Sequence, residues 1–183
     1  MITSKNELKE YLEADNSWYN PWNLKEKITA IVAHYPKWRL KRYLYFLRKQ
    51  EYYINTANGN KIKGLLGIYY EARKNRLGEK LGIEIFPNCF GKGLQIYHAG
   101  IIVNSSVKAG EYCVLHGGNC IGNNGFSQDT PTLGDHVDIG YGAVLIGDIQ
   151  IGDNTIIGAN ALVNHSFAEP GNKIAGVPAR KIN

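Results

Sequence analysis

Residues 133–168, cut in sixes, read LGDHVD, IGYGAV, LIGDIQ, IGDNTI, IGANAL and VNHSFA. The first place of each hexad is Leu, Ile or Val, and the second is Gly in four of the six. Repeats of this period belong to parallel β-helices. Three hexads make a triangular coil of about 18 residues, in which each side is a short strand whose first residue points into a narrow core. Gly, Asn and Asp supply the corners, and coils stack strand on strand at about 4.8 Å. The same frame runs upstream through VNSSVK, AGEYCV, LHGGNC and IGNNGF, then fails at SQDTPT, where Ser127 takes the inward place. A loop projecting over Gly125–Thr132 is therefore predicted.

The glycines gather in this half of the 183-residue chain, while all three tryptophans and nine of the twelve tyrosines lie in the other. Charge divides the same way. Residues 1–80 hold 16 Lys and Arg against 8 Asp and Glu, and residues 81–183 hold 5 against 8, so a net charge of +5 conceals a basic region and an acidic one. The boundary falls near residue 82, with a helical, basic and aromatic region over 1–81 and the repeat region over 82–183. Ser4 and Glu7 have capping-box spacing at the start of a first helix. Residues 16–23 read as a loop, and 24–35 read as a second helix interrupted by Pro36. Residues 37–53 carry apolar Trp38, Leu40, Tyr43, Leu44 and Leu47 with basic residues between them. A last helix over 61–82 ends at glycines.

The basic helices are read as packing helices with a solvated face, and contact with an anionic membrane surface is the second reading. No nucleic-acid motif accompanies the charge, so nucleic acid is not an expected partner. There is no apolar run of membrane-spanning length and no signal-peptide pattern. Cys89, Cys113 and Cys120 form neither an even set nor a C-x-x-C pair. The expected location is cytoplasmic, with the inner face of the membrane as an extension of the second reading.

Within the repeat region the run GLQIYHAGIIVNS, residues 93–105, holds one histidine among apolar residues and glycines. His98 and His116 are 18 residues apart, so regular winding puts them on one corner of adjacent coils. Counting on by the same interval brings Gly134 and Gly152 beneath them, so no third histidine joins the column. Tyr141 and Ala159 share the 18-residue interval on another column.

The stretch IEIFPNCFGKGLQIYHAGIIVNSSVKAGEYCVLHGGNCIG, the hexads and the ending IAGVPARKI together resemble the left-handed parallel β-helix acyltransferases. The resemblance is to the serine acetyltransferase-like branch that includes capsule and lipopolysaccharide O-acetyltransferases, and it spans roughly residues 82–182. It implies a mainly β fold, a left-handed parallel β-helix with an α-helical N-terminal region. It also implies direct O-acetyl transfer from acetyl-CoA and a homotrimer with the cofactor between neighbouring coil stacks. In that family a histidine in an I-x-H segment takes the proton of the acceptor hydroxyl, and the matching residue is His98. The ordinary pKa of histidine, near neutrality, suits that task. The acid that orients the family histidine is matched by Glu84, and His116 is a further catalytic candidate. Gly117 and Gly118 are expected to offer backbone N–H groups to the oxyanion. The resemblance places Gly122 and Asn123 near the thioester, Tyr141 and Ala159 along the cofactor, Pro178 over its adenine, and Arg180 or Lys181 on its phosphate.

Three departures turn the expected acceptor away from free serine. Tyr97 stands where the family has an acid facing the serine ammonium, Thr130 replaces a histidine, and the chain stops directly after the last motif. The acceptor expected first is a carbohydrate hydroxyl, of a surface polysaccharide or its precursor, contacted by Tyr97 and Thr130. Serine O-acetyl transfer is the alternative, followed by a carbonic anhydrase-like metal enzyme, which needs three protein ligands to zinc, and by a non-catalytic scaffold. No metal is expected.

Overall fold

Four helices precede the coils in the computed structural model, which describes residues 1–19 and 23–182. Residues 20–22, inside the predicted loop over 16–23, lie outside the described residues, as does Asn183. Helix α1 spans Lys5–Asn16 and α2 spans Leu24–Val32. Each opens with a capping box, Ser4 with Glu7 and Asn23 with Glu26, in which side chains satisfy backbone N–H groups that the first turn leaves without partners. Helix α3, Pro36–Thr56, starts with Pro36 in the first turn, where its missing N–H costs nothing. Helix α4, Lys61–Leu81, is capped by Asn60 and ends at Gly82 in the left-handed conformation.

Fourteen short strands follow, in three sheets that form the sides of a prism. The first side stacks β1 (Ile83–Ile85), β3 (Ile101–Val103), β6 (Cys120–Gly122), β9 (Val144–Ile146) and β12 (Leu162–Val163). The second stacks β4 (Lys108–Ala109), β7 (Thr132–Leu133) and β10 (Gln150–Ile151). The third stacks β2 (Gln95–Ile96), β5 (Val114–Leu115), β8 (Asp138–Ile139), β11 (Ile156–Ile157), β13 (Lys173–Gly176) and β14 (Ala179–Lys181). All pairings are parallel except β13 with β14. This is a left-handed parallel β-helix with a helical N-terminal region.

The first residues of the hexads, Leu133, Ile139, Leu145, Ile151, Ile157 and Val163, are each 3% exposed or less. Full burial of such side chains contributes roughly 1.5–3 kcal/mol each. Cys89 and Cys113 are buried beside them, and burial pushes the Cys89 thiol up to about 11 and the Cys113 thiol up to about 12.

Two local departures from a uniform period matter for the site. Residues 123–131 project without regular structure, beginning two residues before the predicted loop, while Thr132 belongs to β7. Partners across this loop are 24 residues apart, as in Val114↔Asp138, instead of 18 as in Ile102↔Cys120. Beneath it, Ile96 pairs with Leu115, a step of 19. The corners also differ from a pure Gly, Asn and Asp pattern: Tyr112 and His136 take left-handed conformations at φ 54° and 56°. Their rings stack at 5.1 Å with 6° between planes, an attractive contact that offsets the backbone strain.

The helices close the open end of the prism. Leu40, Tyr43, Leu44 and Leu47 of α3 join the same buried cluster as Ile83, Ile85, Leu94 and Ile96. The Ile85 N–H donates to the Tyr43 hydroxyl at 3.0 Å, and buried Lys74 donates to the Ile85 carbonyl at 2.9 Å. The edge strand β1 therefore presents no open ladder at its C-terminal end. At the other end the antiparallel hairpin β13–β14 covers the last coil. No helix among the described residues is long and apolar enough to cross a membrane.

Candidate active site

The edge between the third and first sides carries the candidate residues. Ile96 pairs with Leu115, so Tyr97 and not His98 lies against His116 in the adjacent coil, with ring centroids 4.7 Å apart. The expected His98–His116 stack is thus displaced by one residue, because the coil at Tyr97 contains an extra residue. The projecting loop moves the next rung as well. Gly140, not Gly134, lies beneath His116, whose N–H donates to the Ile139 carbonyl at 3.0 Å.

His98 is exposed, and a Cβ placed on Gly117 would lie 2.7 Å from the His98 Cβ. Tyr141 is the following rung, since the Gly142 N–H donates to the Gly117 carbonyl, and Ala159 comes next, since the Asn160 N–H donates to the Tyr141 carbonyl. His98, Gly117, Tyr141 and Ala159 therefore form one column. The bare Gly117 lets the rings of His98 and Tyr141 face each other at 6.4 Å, edge to face. The neighbouring column runs through Gly140 and Gly158 to Ala175, beside which Arg180 pairs in the hairpin. From His98 to that rung is about 19 Å at the usual inter-strand spacing.

Gly117 adopts φ 114°, so alanine there meets both backbone strain and the His98 Cβ. Gly117→Ala is expected to lower the thermal midpoint by roughly 4–8 °C, a cost of about 2 kcal/mol in a chain of this size. Gly118→Ala, whose Cβ would meet Tyr141 at 3.2 Å, is expected to cost less. Calorimetry of both variants checks the order.

A carboxylate that no sequence motif announces stands beside His116. His116 Nε2 lies 2.8 Å from Asp138 Oδ1, with the two side chains 35% and 40% exposed. The two atoms are close, but their geometry is not that of a hydrogen bond. Tyr97 sits on the other side of His116 and stacks on Trp18 at 5.7 Å and 17°. Desolvation, then the charge of Asp138, raises the Tyr97 hydroxyl above its ordinary pKa. Trp18, Tyr97, His116 and Asp138 form one continuous wall.

Other expectations are redirected. The Gly117 N–H donates to Asn119 Oδ1 at 2.9 Å, and the Gly118 N–H donates to the Ala99 carbonyl at 3.0 Å. Neither is available to an oxyanion, because buried Asn119 fixes this corner, also donating to the Gly140 carbonyl at 2.8 Å. Glu84 faces outward from the middle of β1, in register with Ile102, and lines a separate cleft with Glu71 and Lys74. Among the described residues it makes no hydrogen bond or ion pair with His98. Gly122 packs against Asn104 at the far end of β6, and Asn123 and Thr130 belong to the projecting segment, away from the His98 edge. Pro178 and Arg180 are exposed, whereas Lys181 pairs with Glu169 at 2.6 Å. No group of three or more His, Cys, Asp or Glu side chains among the described residues is gathered as for a metal ion.

The family profile of the bacterial transferase hexapeptide, six repeats, matches residues 130–165. The serine acetyltransferase of Synechococcus elongatus is 34% identical over 105 residues, 55% of this chain and 43% of that protein. The chain spans about half the length of the curated relatives it matches. A crystal structure of the Neisseria gonorrhoeae serine acetyltransferase superposes with a TM-score of 0.70 at 25% identity, over 98% of this chain and 68% of that one. A serine acetyltransferase solved in complex with CoA gives 0.71 at 21%, over 97% and 71%. These matches overturn the expected carbohydrate acceptor and the association with surface polysaccharide, because the relatives are serine acetyltransferases. Position 97 holds no carboxylate, but Asp138, from another coil, brings one close enough for its charge to act on Tyr97.

Proposed function

We propose that this chain transfers the acetyl group of acetyl-CoA to the hydroxyl of serine, with His98 as general base. The observation that carries the reading is the exposed His98 ring at the head of an edge whose next rungs are Gly117, Tyr141 and Ala159. A serine hydroxyl is a weak nucleophile at neutral pH, so attack on a thioester needs a base at the hydroxyl proton. His98 takes that proton as the serine oxygen bonds to the thioester carbonyl carbon. The carbon–sulfur bond then breaks, and the imidazolium returns the proton to the departing thiolate, giving O-acetylserine and CoA.

The residues fit an extended cofactor arm. The column is open to solvent at Tyr141 and Ala159, their N–H groups donate to no acceptor among the described residues, and exposed Arg180 stands by the last rung of the neighbouring column. A pantetheine amide can pair with such N–H groups, and a guanidinium suits the phosphates. In the homotrimer that the resemblance implies, a neighbouring copy would close this groove. Asp138 supports an amino-acid acceptor: its carboxylate supplies the negative charge for an ammonium, and the faces of Tyr97 and Trp18 suit a cation.

The direct test is thiol release from acetyl-CoA with increasing serine. Saturable release that yields O-acetylserine is the expected result, and a rate indifferent to serine would remove the reading. Asp138→Asn is expected to raise the KM for serine about tenfold or more, the value of a charge-assisted contact, while the KM for acetyl-CoA stays in place. A change confined to acetyl-CoA would exclude Asp138 from the acceptor wall.

A further inference from the structure

Helices α3 and α4 lie antiparallel, Tyr43 against Gly78 and Ile54 against Gly67, and their outer faces meet in a cleft of about 300 Å³. Its lining includes Arg39, Arg42 and Phe46 from α3 and Arg73, Arg76 and Lys80 from α4. These positions recur at three- and four-residue intervals, so each set occupies one helix face. Trp38 and, from beyond the end of α2, His34 complete the wall.

Three features set this cleft apart from an ordinary solvated basic face. No carboxylate lines it: the acids of α4, Glu71 and Glu79, line the other cleft, on the side of Glu84. None of its five permanent cations forms an ion pair among the described residues. The guanidinium carbons of Arg42 and Arg73 each lie 5.4 Å from the centroid of the Phe46 ring, which is only 7% exposed, so an aromatic support holds two charges together that repel each other. Gathering like charges without a counter-charge is unfavourable, and a bound anion offsets it.

We propose that this cleft is a binding site for a phosphomonoester or diphosphate group. Four of its five cations are arginines, whose planar forks match phosphate oxygens in pairs. The cleft volume is at the lower end of the range for small-ligand sites and suits a compact group held at one point. The phosphate can come from a soluble ester or from a lipid headgroup. The site is separate from the His98 edge, so it stands or falls independently of acetyl transfer.

The test uses the full chain and Arg42→Gln/Arg76→Gln, with sodium pyrophosphate as soluble probe and phosphatidylglycerol or phosphatidylcholine vesicles as surface probes. Pyrophosphate is expected to raise the thermal midpoint of the wild type above that in sodium chloride of equal ionic strength. The double substitution is expected to weaken pyrophosphate at least about tenfold, with the unliganded midpoint equal to the wild type's or higher, since two repelling charges are gone, and the rate of thiol release unchanged. Sedimentation with phosphatidylglycerol but not phosphatidylcholine vesicles, lost in the variant, would assign the phosphate to a headgroup. Binding of pyrophosphate alone would assign it to a soluble ester. The proposal is overturned if chloride matches pyrophosphate, if the variant binds as the wild type does, or if a single-stranded oligonucleotide binds while both phosphate probes do not.

Discussion

His98→Ala is expected to lower the turnover of acetyl-CoA with serine by about 10²–10⁴-fold, the usual contribution of a general base, while leaving the dissociation constant for acetyl-CoA within about twofold. The split follows from where the ring stands. It is exposed, makes no hydrogen bond among the described residues, and meets the rest of the proposed cofactor column at bare Gly117 and through the ring of Tyr141. Its removal opens no cavity and unpairs no buried group, so the thermal midpoint is expected to stay within about 2 °C, the scale of a surface substitution. A large loss of turnover in a chain that melts normally and binds the cofactor normally isolates the proton transfer as the step that failed.

His116→Ala is the informative partner to that experiment. His116 is wedged between Tyr97 and Asp138, so its removal frees the carboxylate and the tyrosine ring together. The expected result is a higher KM for serine with a modest change in kcat. Equilibrium binding of acetyl-CoA, steady-state kinetics and product analysis separate the two cases. If instead His116→Ala abolishes turnover and His98→Ala does not, the His116–Asp138 pair is the base, and the role given to His98 is wrong.

The coils were legible because a six-residue period is written directly in side-chain chemistry: each inward Leu, Ile or Val must be apolar, whatever its neighbours. The site was legible only in part. Spacing set His98 with His116 on one column and Tyr141 with Ala159 on another, whereas His98 heads the column of Tyr141 and Ala159, because the coil holds an extra residue just after His98 that leaves no mark in residue type. It shifted the partner of His116 from His98 to Tyr97. The loop over 123–131 shows in the failed hexad at Ser127, and allowing for its six added residues would have brought Gly140 beneath His116 and Asp138 into reach. The oxyanion role given to Gly117 and Gly118 failed for another reason, since a glycine-rich sequence says nothing about which N–H groups are already spent on Asn119 and Ala99. The basic helix held a further surprise in its one buried cation.

Arg48→Met is expected to destabilise the fold by about 3–5 kcal/mol, which in a chain of this length lowers the melting midpoint by about 6–20 °C. Arg48 is fully buried, and its guanidinium bonds in every direction it can. Nε donates to Asp15 at 2.8 Å, Nη1 to Glu51 and the Phe90 carbonyl, both at 3.0 Å, and Nη2 to the Gly91 carbonyl at 2.6 Å. Asp15 also accepts the N–H groups of Gly93 and Leu94, and Glu51 accepts that of Asn88. Burial alone would draw the guanidinium pKa down, but Glu51 and Asp15 raise it by more, so the charge is kept. One residue thereby fastens α1 and α3 to the first coil of the prism. Methionine fills much of the same volume but leaves two carboxylates facing each other without a cation and two carbonyls without donors, and the loss comes from those abandoned partners. Arg48→Met/Asp15→Asn/Glu51→Gln, which also removes both negative charges, is therefore expected to recover part of the lost stability. Because the helices and coils share one buried cluster, wild type and variants are expected to unfold in one transition. Denaturant melts followed by both far-ultraviolet circular dichroism and tryptophan fluorescence check this. A loss below about 1 kcal/mol for the single variant, or separate transitions for helices and coils, would show that the buried arginine does not hold the two regions together.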